Sequence, residues 1–383
     1  MIDACPQSPY RSRPRWAGMV LSIGILSLHL PSPVAAGTHE SRAEASALLE
    51  EALQADNGPG VQAAVVIDGQ LVWSVALGQA DLEGRVAMDP TTRLRIGSVS
   101  KVLTSALAAR LVEDGRLDPE ATVQTYLPDF PEKGSPVTSR LLASHTSGIR
   151  HYDFSNMAEA NNTHHYDGVG QALAVFAEDA LEAAPRTRFL YSSFGFNLLG
   201  AVTEAAAGEP FLDALSSWVT APLSLDDTVG DSALAIVPGR GRFYTLRDNG
   251  ELINTIWRDS SDYYPSGGLL STAQDLAQLT SAMFEGDFFG PRSKTLFTTP
   301  ATLADGTPVP YSFGWQVKTD GDGTVIHYGH GGLTNGATAE VRYLPRQRMA
   351  IAVITNYNFW FADSPSTISV VTDVIPAVLS PPR

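Results

Sequence analysis

A serine and a lysine lie three residues apart at the start of a segment whose pattern predicts a helix. Residues 97–113 read GSVSKVLTSALAARLVE, with Ser98 and Lys101 near the beginning. Small or apolar residues face nearly every direction from Val102 to Ala109, which indicates that the helix is buried. A lysine removed from water loses its proton more easily, and a neutral amine accepts the proton of a neighbouring hydroxyl. We therefore predict that Ser98 is a nucleophile and that Lys101 is its base.

The start of a helix favours this chemistry, because free backbone N–H groups and the positive end of the helix dipole stabilise a developing negative charge. The S-x-x-K spacing alone is weak evidence, since short motifs occur by chance in long proteins. A helix-capping serine followed by a solvated lysine has the same pattern. Other segments of the chain must therefore decide between the two interpretations.

Three further segments complete an ordered set of motifs. They read LLASHTSGI at 141–149, FLYSSFGFNLLG at 189–200 and HYGHGGLTNGATAE at 327–340. Together with IGSVSK at 96–101, they resemble the serine β-lactamase and penicillin-binding-protein superfamily. The pattern is most similar to the branch that contains class C β-lactamases, D-aminopeptidases, family VIII esterases and LACTB-like proteases. The resemblance spans roughly residues 61–356, and it is more specific for the superfamily than for a substrate.

The resemblance implies catalytic roles for three residues. Ser98 would be the acylated nucleophile, and Lys101 would be its partner base. Tyr191, which matches the tyrosine of the Y-x-N motif, would relay protons to the leaving group and to the attacking water. Taken alone, Tyr191 is equally well read as a core aromatic residue. His145, in the SHTSG segment, is expected to be a hydrogen-bonded histidine that holds its turn rather than a catalytic base.

The positions that the resemblance assigns to substrate binding depart from the superfamily pattern. Ser193 stands where the Y-x-N motif has asparagine, and a hydroxyl lacks the two-sided reach of an amide. The K-T-G box becomes His330-Gly331-Gly332, so the lysine and the middle hydroxyl are both missing. The backbone N–H of Leu333 would complete the oxyanion hole with that of the nucleophile. A largely neutral His330 would weaken recognition of a penicillin-type carboxylate, which favours esters, peptides and D-amino-acid amides.

The strand and helix signals predict an α+β architecture, the β-lactamase-like fold. Apolar runs flank the turn Asp68-Gly69 and recur in the last eighty or so residues, so one antiparallel sheet is expected from both chain ends, flanked by helices. A mainly helical lobe would be inserted between them. The expected boundaries are a sheet lobe at about 37–96 and 305–383 and a helical lobe at about 97–304. A closing helix is expected near the C-terminal end of the sequence, where Pro376 would disturb it.

The first residues have the pattern of a secretory signal peptide. A basic segment with three arginines precedes the apolar stretch WAGMVLSIGILSLHL, and small residues follow it. We predict that 1–36 is the signal peptide, with cleavage after Ala36, and that 37–383 is one β-lactamase-related domain. An uncleaved anchor is the alternative. The single cysteine, Cys5, lies in this segment, so a periplasmic or secreted bacterial protein without disulfides is expected.

The composition narrows the partners. The formal net charge of -15 argues against nucleic acid and anionic membranes, which leaves a small-molecule or peptide substrate; the oligomeric state is not readable. Neither a cofactor nor a metal is expected, because the histidines lack zinc-ligand spacing. The G-x-S-x-G elbow of α/β-hydrolases does not occur in the sequence. The alternative to a serine hydrolase is a non-catalytic ligand- or peptidoglycan-binding protein on the same fold.

Overall fold

The structure is a computed structural model that describes residues 37–153, 155–359 and 365–380. All of these belong to one compact unit, Ala35–Arg383. The predicted signal peptide, 1–36, lies outside the described residues, so its cleavage stays a prediction. Within the described ranges, none of the helices combines the length and apolarity needed to cross a membrane.

The strands and helices are numbered along the chain. The strands are β1 (Gly60–Ile67), β2 (Gln70–Asp81), β3 (Val86–Ala87), β4 (Leu94–Arg95), β5 (Val229–Gly230), β6 (Tyr244–Leu246), β7 (Leu252–Asn254), β8 (Leu269–Ser271), β9 (Gln316–Thr319), β10 (Val325–Thr334), β11 (Ala337–Leu344), β12 (Met349–Thr355) and β13 (Tyr357–Phe359). The α-helices are α1 (His39–Ala55), α2 (Ser100–Glu113), α3 (Ser139–Ala143), α4 (Met157–Ala160), α5 (Val169–Ala172), α6 (Ser193–Ala207), α7 (Phe211–Leu215), α8 (Ala273–Phe284), α9 (Pro291–Thr298), α10 (Ser366–Ser369) and α11 (Ile375–Leu379). Short 3₁₀ helices lie at Gly97–Val99, Val123–Thr125 and Leu173–Val175, and π-helical turns at Ser216–Thr220 and Val370–Val374.

The main sheet has seven strands in the order β3-β2-β1-β12-β11-β10-β9, and every neighbouring pair is antiparallel. The N-terminal strand β1 pairs with β12 near the other end of the chain, so the predicted sheet from both ends is confirmed. Asp68 and Gly69, with φ of 48° and 75°, join β1 to β2. Two consecutive positive φ angles are what a two-residue hairpin turn requires, which explains why this dipeptide was a strong signal.

Helices cover both faces of this sheet. Along β1, all positions are buried, and the side chains alternate between two apolar cores. Val61, Ala63 and Val65 join the core beneath the terminal helices α1, α10 and α11, whereas Ala64 and Val66 join the core shared with α8 and the helical lobe. A strand buried on both faces reads as a continuous apolar run, as β1 does.

The expected closing helix is interrupted where the sequence predicted it. Between α10 and α11, the chain passes through the π-helical turn at Val370–Val374. Pro376 has no backbone N–H, so the carbonyl of Thr372 loses its helical partner one turn earlier. The Arg342 guanidinium donates a hydrogen bond to that carbonyl at 3.3 Å instead. After the π-helical turn the chain resumes a helical path as α11, and the Thr372 carbonyl has a hydrogen-bond partner.

Four short strands between β4 and β9 form two small sheets, one with β4 and one with β13, that the sequence did not predict. Their strand orders are β4-β8-β5 and β13-β6-β7. These strands have only two or three residues each, which is too short for an alternating pattern to be recognised. The first sheet matters for the site, because β4 ends two residues before Gly97 and fixes the entry to the turn that carries Ser98.

Candidate active site

The predicted catalytic helix is buried as its composition indicated. It begins at Ser100, directly after the 3₁₀ turn Gly97–Val99 that carries Ser98. Every residue from Ser100 to Ala109 is buried, and Lys101 has no exposed surface at all. The solvated lysine that was the competing interpretation of the S-x-x-K spacing is therefore wrong.

The amine of Lys101 is surrounded by three oxygen atoms. Its Nζ lies 3.1 Å from Ser98 Oγ, 3.0 Å from Ser193 Oγ and 2.7 Å from the backbone oxygen of Ser266. None of the ion pairs between described residues includes Lys101. Burial without a counter-charge lowers the pKa of Lys101 well below its ordinary value. A neutral amine donates two hydrogen bonds and accepts one, so it fits here by accepting the proton of Ser98.

Tyr191 lies on the other side of the nucleophile. Burial raises the pKa of its phenol to about 12, and a hydrogen bond with Ser98 opposes that rise. The centroid of its ring is 5.0 Å from Lys101 Nζ. The phenol is therefore protonated near neutral pH and is placed to exchange a proton with Ser98. The structure thus brings together all three predicted catalytic residues.

Two histidines hold the segment that carries Tyr191. His145 Nδ1 accepts a hydrogen bond from the Ser192 N–H, and His151 Nδ1 accepts one from the Ser193 N–H, each at 3.1 Å. Burial, with the nearby Lys101, lowers the pKa of His151 to about 4, so its ring is neutral and able to accept. The His145 side chain is hydrogen-bonded as predicted, but it bonds to the segment before α6 rather than within its own turn, and its Nε2 has no hydrogen-bond partner among the described residues.

His151 is a residue of the site that the sequence analysis missed. Its ring meets that of Tyr191 edge-on, with centroids 5.5 Å apart. The sequence shows only that His151 follows His145 by six residues, across the turn Ser147-Gly148. Its hydrogen bond to the start of α6, some forty residues later, leaves no local pattern, so this spacing did not identify His151 as a site residue.

His330 is enclosed in the wall of the site. Its side chain is 1% exposed, its Nδ1–H donates to the Gly331 carbonyl at 2.7 Å, and its Nε2 accepts from the Tyr311 hydroxyl at 2.8 Å. This tautomer is assigned from the hydrogen bonds, since a carbonyl can only accept. Burial lowers the pKa of His330 to about 3. The ring is neutral with both nitrogens engaged, and a direct substrate contact of its side chain stays a prediction.

The two glycines after His330 differ in what surrounds them. A Cβ on Gly332 would lie 2.0 Å from the Ile96 carbonyl oxygen, whereas a Cβ on Gly331 would meet no atom within 4 Å. Gly97, at φ 50°, similarly faces the backbone of Leu333. Glycines at 97 and 332 therefore let β10 lie against the turn that carries Ser98. The Leu333 backbone is brought beside that turn, and its part in an oxyanion hole stays a prediction.

A cavity of about 500 Å³ opens at Ser98 and follows β10. Leu333, whose side chain is 65% exposed, stands in it with Phe359, Asn335 and Asn358. Glu340 is the only charged residue among the described residues that line it. Within 37–153, 155–359 and 365–380, no three His, Cys, Asp or Glu side chains are grouped to hold a metal ion. Neutral polar and apolar groups therefore dominate the space next to the nucleophile.

The comparisons with known proteins agree with this geometry. The family model described as Beta-lactamase matches residues 45–373. The chain belongs to the beta-lactamase family. Among its relatives is the mouse mitochondrial serine beta-lactamase-like protein LACTB, 32% identical over 68% of this chain and 60% of the mouse protein. D-aminopeptidase of Gluconobacter oxydans is 26% identical over 78% of this chain and 56% of that protein.

A solved structure supports the same family fold. The crystal structure of SurE superposes with a TM-score of 0.73 at 25% identity, covering 88% of this chain and 76% of that one. The chain spans only 54% to 60% of the human and mouse LACTB proteins. The α+β beta-lactamase-like fold predicted from the sequence is confirmed.

The first prediction separates the two glycines of β10. Gly332→Ala is expected to lower the free energy of unfolding by about 1–3 kcal/mol, because its Cβ must displace the Ile96 carbonyl. Gly331→Ala, in open space, is expected to change it by less than about 0.5 kcal/mol. Urea unfolding of both variants measures the difference. Equal destabilisation would show that the close approach of β10 to the nucleophile turn is not what requires glycine.

The second prediction concerns the stability cost of the buried amine. The Lys101→Met variant is expected to have no turnover. At pH 7 it should unfold at the same temperature as the wild type or at a higher one, because a buried amine without a counter-charge has been removed. The folded state holds Lys101 at a lowered pKa, so the wild type gains stability as the pH rises toward the ordinary lysine pKa. The difference in unfolding temperature between the variant and the wild type should therefore become smaller from pH 7 to pH 9.5. A gap that is independent of pH would contradict a neutral Lys101.

The third prediction follows from His151. Its pKa is lowered in the fold, so the unfolded chain binds the extra proton first, and the wild type loses stability as the pH falls from about 6.5 to about 4. His151→Asn keeps an acceptor near the Ser193 N–H but does not titrate. Thermal midpoints measured across this range should fall more steeply for the wild type than for the variant. Parallel curves would exclude the neutral imidazole as the acceptor.

Proposed function

We propose that the chain is a serine hydrolase that forms an acyl-enzyme on Ser98. The observation that carries the proposal is the fully buried amine of Lys101, 3.1 Å from Ser98 Oγ and without a carboxylate partner among the described residues. A neutral amine in hydrogen-bond contact with a hydroxyl at a helix start is the arrangement that activates a serine. Tyr191, still protonated near neutral pH, supplies the third group.

In the proposed reaction, Ser98, Lys101 and Tyr191 carry every proton that is transferred. As Ser98 Oγ bonds to the substrate carbonyl carbon, its proton moves to Lys101 Nζ. The backbone N–H groups of Ser98 and Leu333 stabilise the oxyanion that forms. The bond to the leaving group then breaks, and the proton held by Lys101 reaches it through the Tyr191 phenol. Water attacks the acyl-enzyme, gives its proton to the same pair, and releases the acid while Ser98 regains its hydrogen.

The substrates that we propose are neutral esters, peptides and D-amino-acid amides. A penicillin-type carboxylate needs a cation where the K-T-G lysine stands, and this chain has a neutral, internally hydrogen-bonded His330 there. The single charged residue among the described lining residues, Glu340, is itself a carboxylate and is paired with Arg342, so the lining supplies no cation for a substrate carboxylate. D-aminopeptidases among the relatives support an amide substrate. On this basis β-lactams should be turned over weakly at most.

The proposal includes export from a bacterial cell, to the periplasm or the exterior. It rests on the sequence pattern of residues 1–36 alone, since that segment lies outside the described residues. The alternative, a non-catalytic ligand- or peptidoglycan-binding protein, is favoured only by Ser193 and His330, which replace the asparagine and lysine of the superfamily motifs. Labelling of the nucleophile separates the two.

The fourth prediction tests Ser98 directly. The purified chain should react with a fluorescent phosphonate and hydrolyse a p-nitrophenyl ester, and Ser98→Ala should abolish both while its thermal midpoint stays nearly unchanged. Lys101→Arg should not restore activity, because arginine does not give up its proton. Ser105→Ala serves as a control for labelling, since its hydroxyl lies on the same helix and has no hydrogen-bond partner among the described residues. Turnover by Ser98→Ala would exclude the mechanism; a folded wild type that neither labels nor turns over would favour the binding protein.

A further inference from the structure

A second groove lies beside the catalytic cavity. It has a volume of about 720 Å³ and is lined by Arg95, Asp231 and residues of the segments 233–243 and 254–258. We call it the lateral groove. None of its lining residues is among those assigned to catalysis, so the proposed reaction leaves its composition unexplained.

The lateral groove exposes large apolar side chains. The exposed fractions are 73% for Leu234, 95% for Ile236, 45% for Ile256 and 57% for Trp257. Isolated exposed hydrophobic residues are common on protein surfaces, but a contiguous group that includes a tryptophan marks a contact site. These four residues come from two segments, 233–243 and 254–258, and both segments line the groove.

The same groove holds an exposed cation in an acidic protein. Four arginines and one aspartate, Asp231, line it, whereas the whole chain has a formal net charge of -15. Arg95 and Arg240 share Asp231, and the buried Arg258 is paired with Asp262 at 2.6 Å. Arg242 is different, because it is 60% exposed and its nearest carboxylate, Asp81, lies at 3.8 Å. At that distance and exposure the Arg242 pair contributes little, so its guanidinium is available to an anionic group of a ligand beside the apolar side chains.

Asn335 connects the lateral groove to the catalytic cavity. It lines the cavity at Ser98, and its side-chain amide donates to the Ile256 carbonyl at 3.2 Å. The backbone carbonyl oxygen of Asn335 accepts a hydrogen bond from Arg95 Nη1 at 3.0 Å. A chain that follows β10 away from Ser98 therefore passes Asn335 and reaches the groove without leaving the surface.

We propose that the lateral groove binds the extended part of a polypeptide substrate that is apolar and acidic there, while the scissile bond lies at Ser98. The inference rests on the proposed function and names its substrate class. An anionic membrane would meet the same side chains, but the negative charge of the whole chain opposes its approach far more than that of a flexible peptide. A peptide also has backbone carbonyls that the exposed Arg242 guanidinium can bind.

Binding is measured without turnover on the Ser98→Ala protein. A synthetic peptide that alternates leucine with aspartate is compared, by calorimetry, with one in which lysine replaces the aspartates. The acidic peptide is expected to bind roughly tenfold or more tightly, and less so as salt is added. Equal binding of the two peptides, or tighter binding of vesicles of anionic phospholipid than of the acidic peptide, would overturn the proposal.

Variants at exposed positions test the groove itself. Ile236→Ser should weaken binding of the acidic peptide roughly tenfold. Arg242→Glu should make the groove bind the lysine peptide more tightly than the aspartate peptide. Leu71→Ser and Arg116→Glu are matched controls at exposed sites outside the lining, with side chains 43% and 50% exposed, and should leave binding unchanged. If the controls weaken the peptide as much as the groove variants do, the site is wrong.

Turnover of a small ester separates this inference from the proposed function. In the otherwise wild-type enzyme, Ile236→Ser and Arg242→Glu should leave kcat/KM for a p-nitrophenyl ester unchanged and lower it about tenfold for an acidic apolar peptide. Equal losses on both substrates would overturn the inference. If the wild type hydrolyses neither substrate but binds the acidic peptide through these residues, the groove stands and the hydrolase proposal fails.

Discussion

The arrangement depends on burying one amine without a counter-charge. A buried ammonium without a carboxylate is strongly unfavourable, so the fold favours the neutral amine and thereby creates a base. The surrounding oxygens must still be fixed, and α2 does this with its own hydroxyls. Thr104 donates to the Pro265 carbonyl at 2.6 Å and Ser100 accepts from the Leu269 N–H at 3.2 Å. These bonds hold the segment between them, whose Ser266 carbonyl accepts from Lys101. Two polar residues of the otherwise apolar helix, Ser100 and Thr104, thus position the Ser266 carbonyl.

A second constraint is how closely the backbone segments approach. Ser98, Tyr191 and the β10 strand come from three distant parts of the chain, and the nucleophile turn meets β10 where side chains are absent. Gly97 and Gly332 give the contact between the nucleophile turn and β10. Ser192 caps α6 by accepting from the Gly195 N–H at 2.8 Å, which sets the direction of the residues before it. The geometry of the site therefore follows from two backbone contacts and one helix cap as much as from the catalytic side chains themselves.

Sequence reasoning reached the features that have a local pattern. The Asp68-Gly69 hairpin and the buried α2 were predicted because turn chemistry and periodicity act over a few residues. The fold and the order of the motifs came from the resemblance. The acceptor role of His151, the Ser266 carbonyl and the short strands β4 and β8 were not predicted. Each depends on a contact between distant segments, and a backbone carbonyl carries no residue type that a sequence could reveal.

The distribution of charge explains why substrate selection would be divided between two surfaces. Next to Ser98 the ionisable groups are kept neutral, because a cation near Lys101 would disfavour its protonation and an anion would favour it, and either would change its strength as a base. His151 and His330 both have pKa values lowered to about 4 or below, which keeps them uncharged beside the amine. With a neutral His330 in place of the K-T-G lysine, this site has no cation next to Ser98 with which to recognise its substrate. Recognition by charge would have to lie farther away, and the arginines beyond Asn335 are in a position where they bind an anion without perturbing the base.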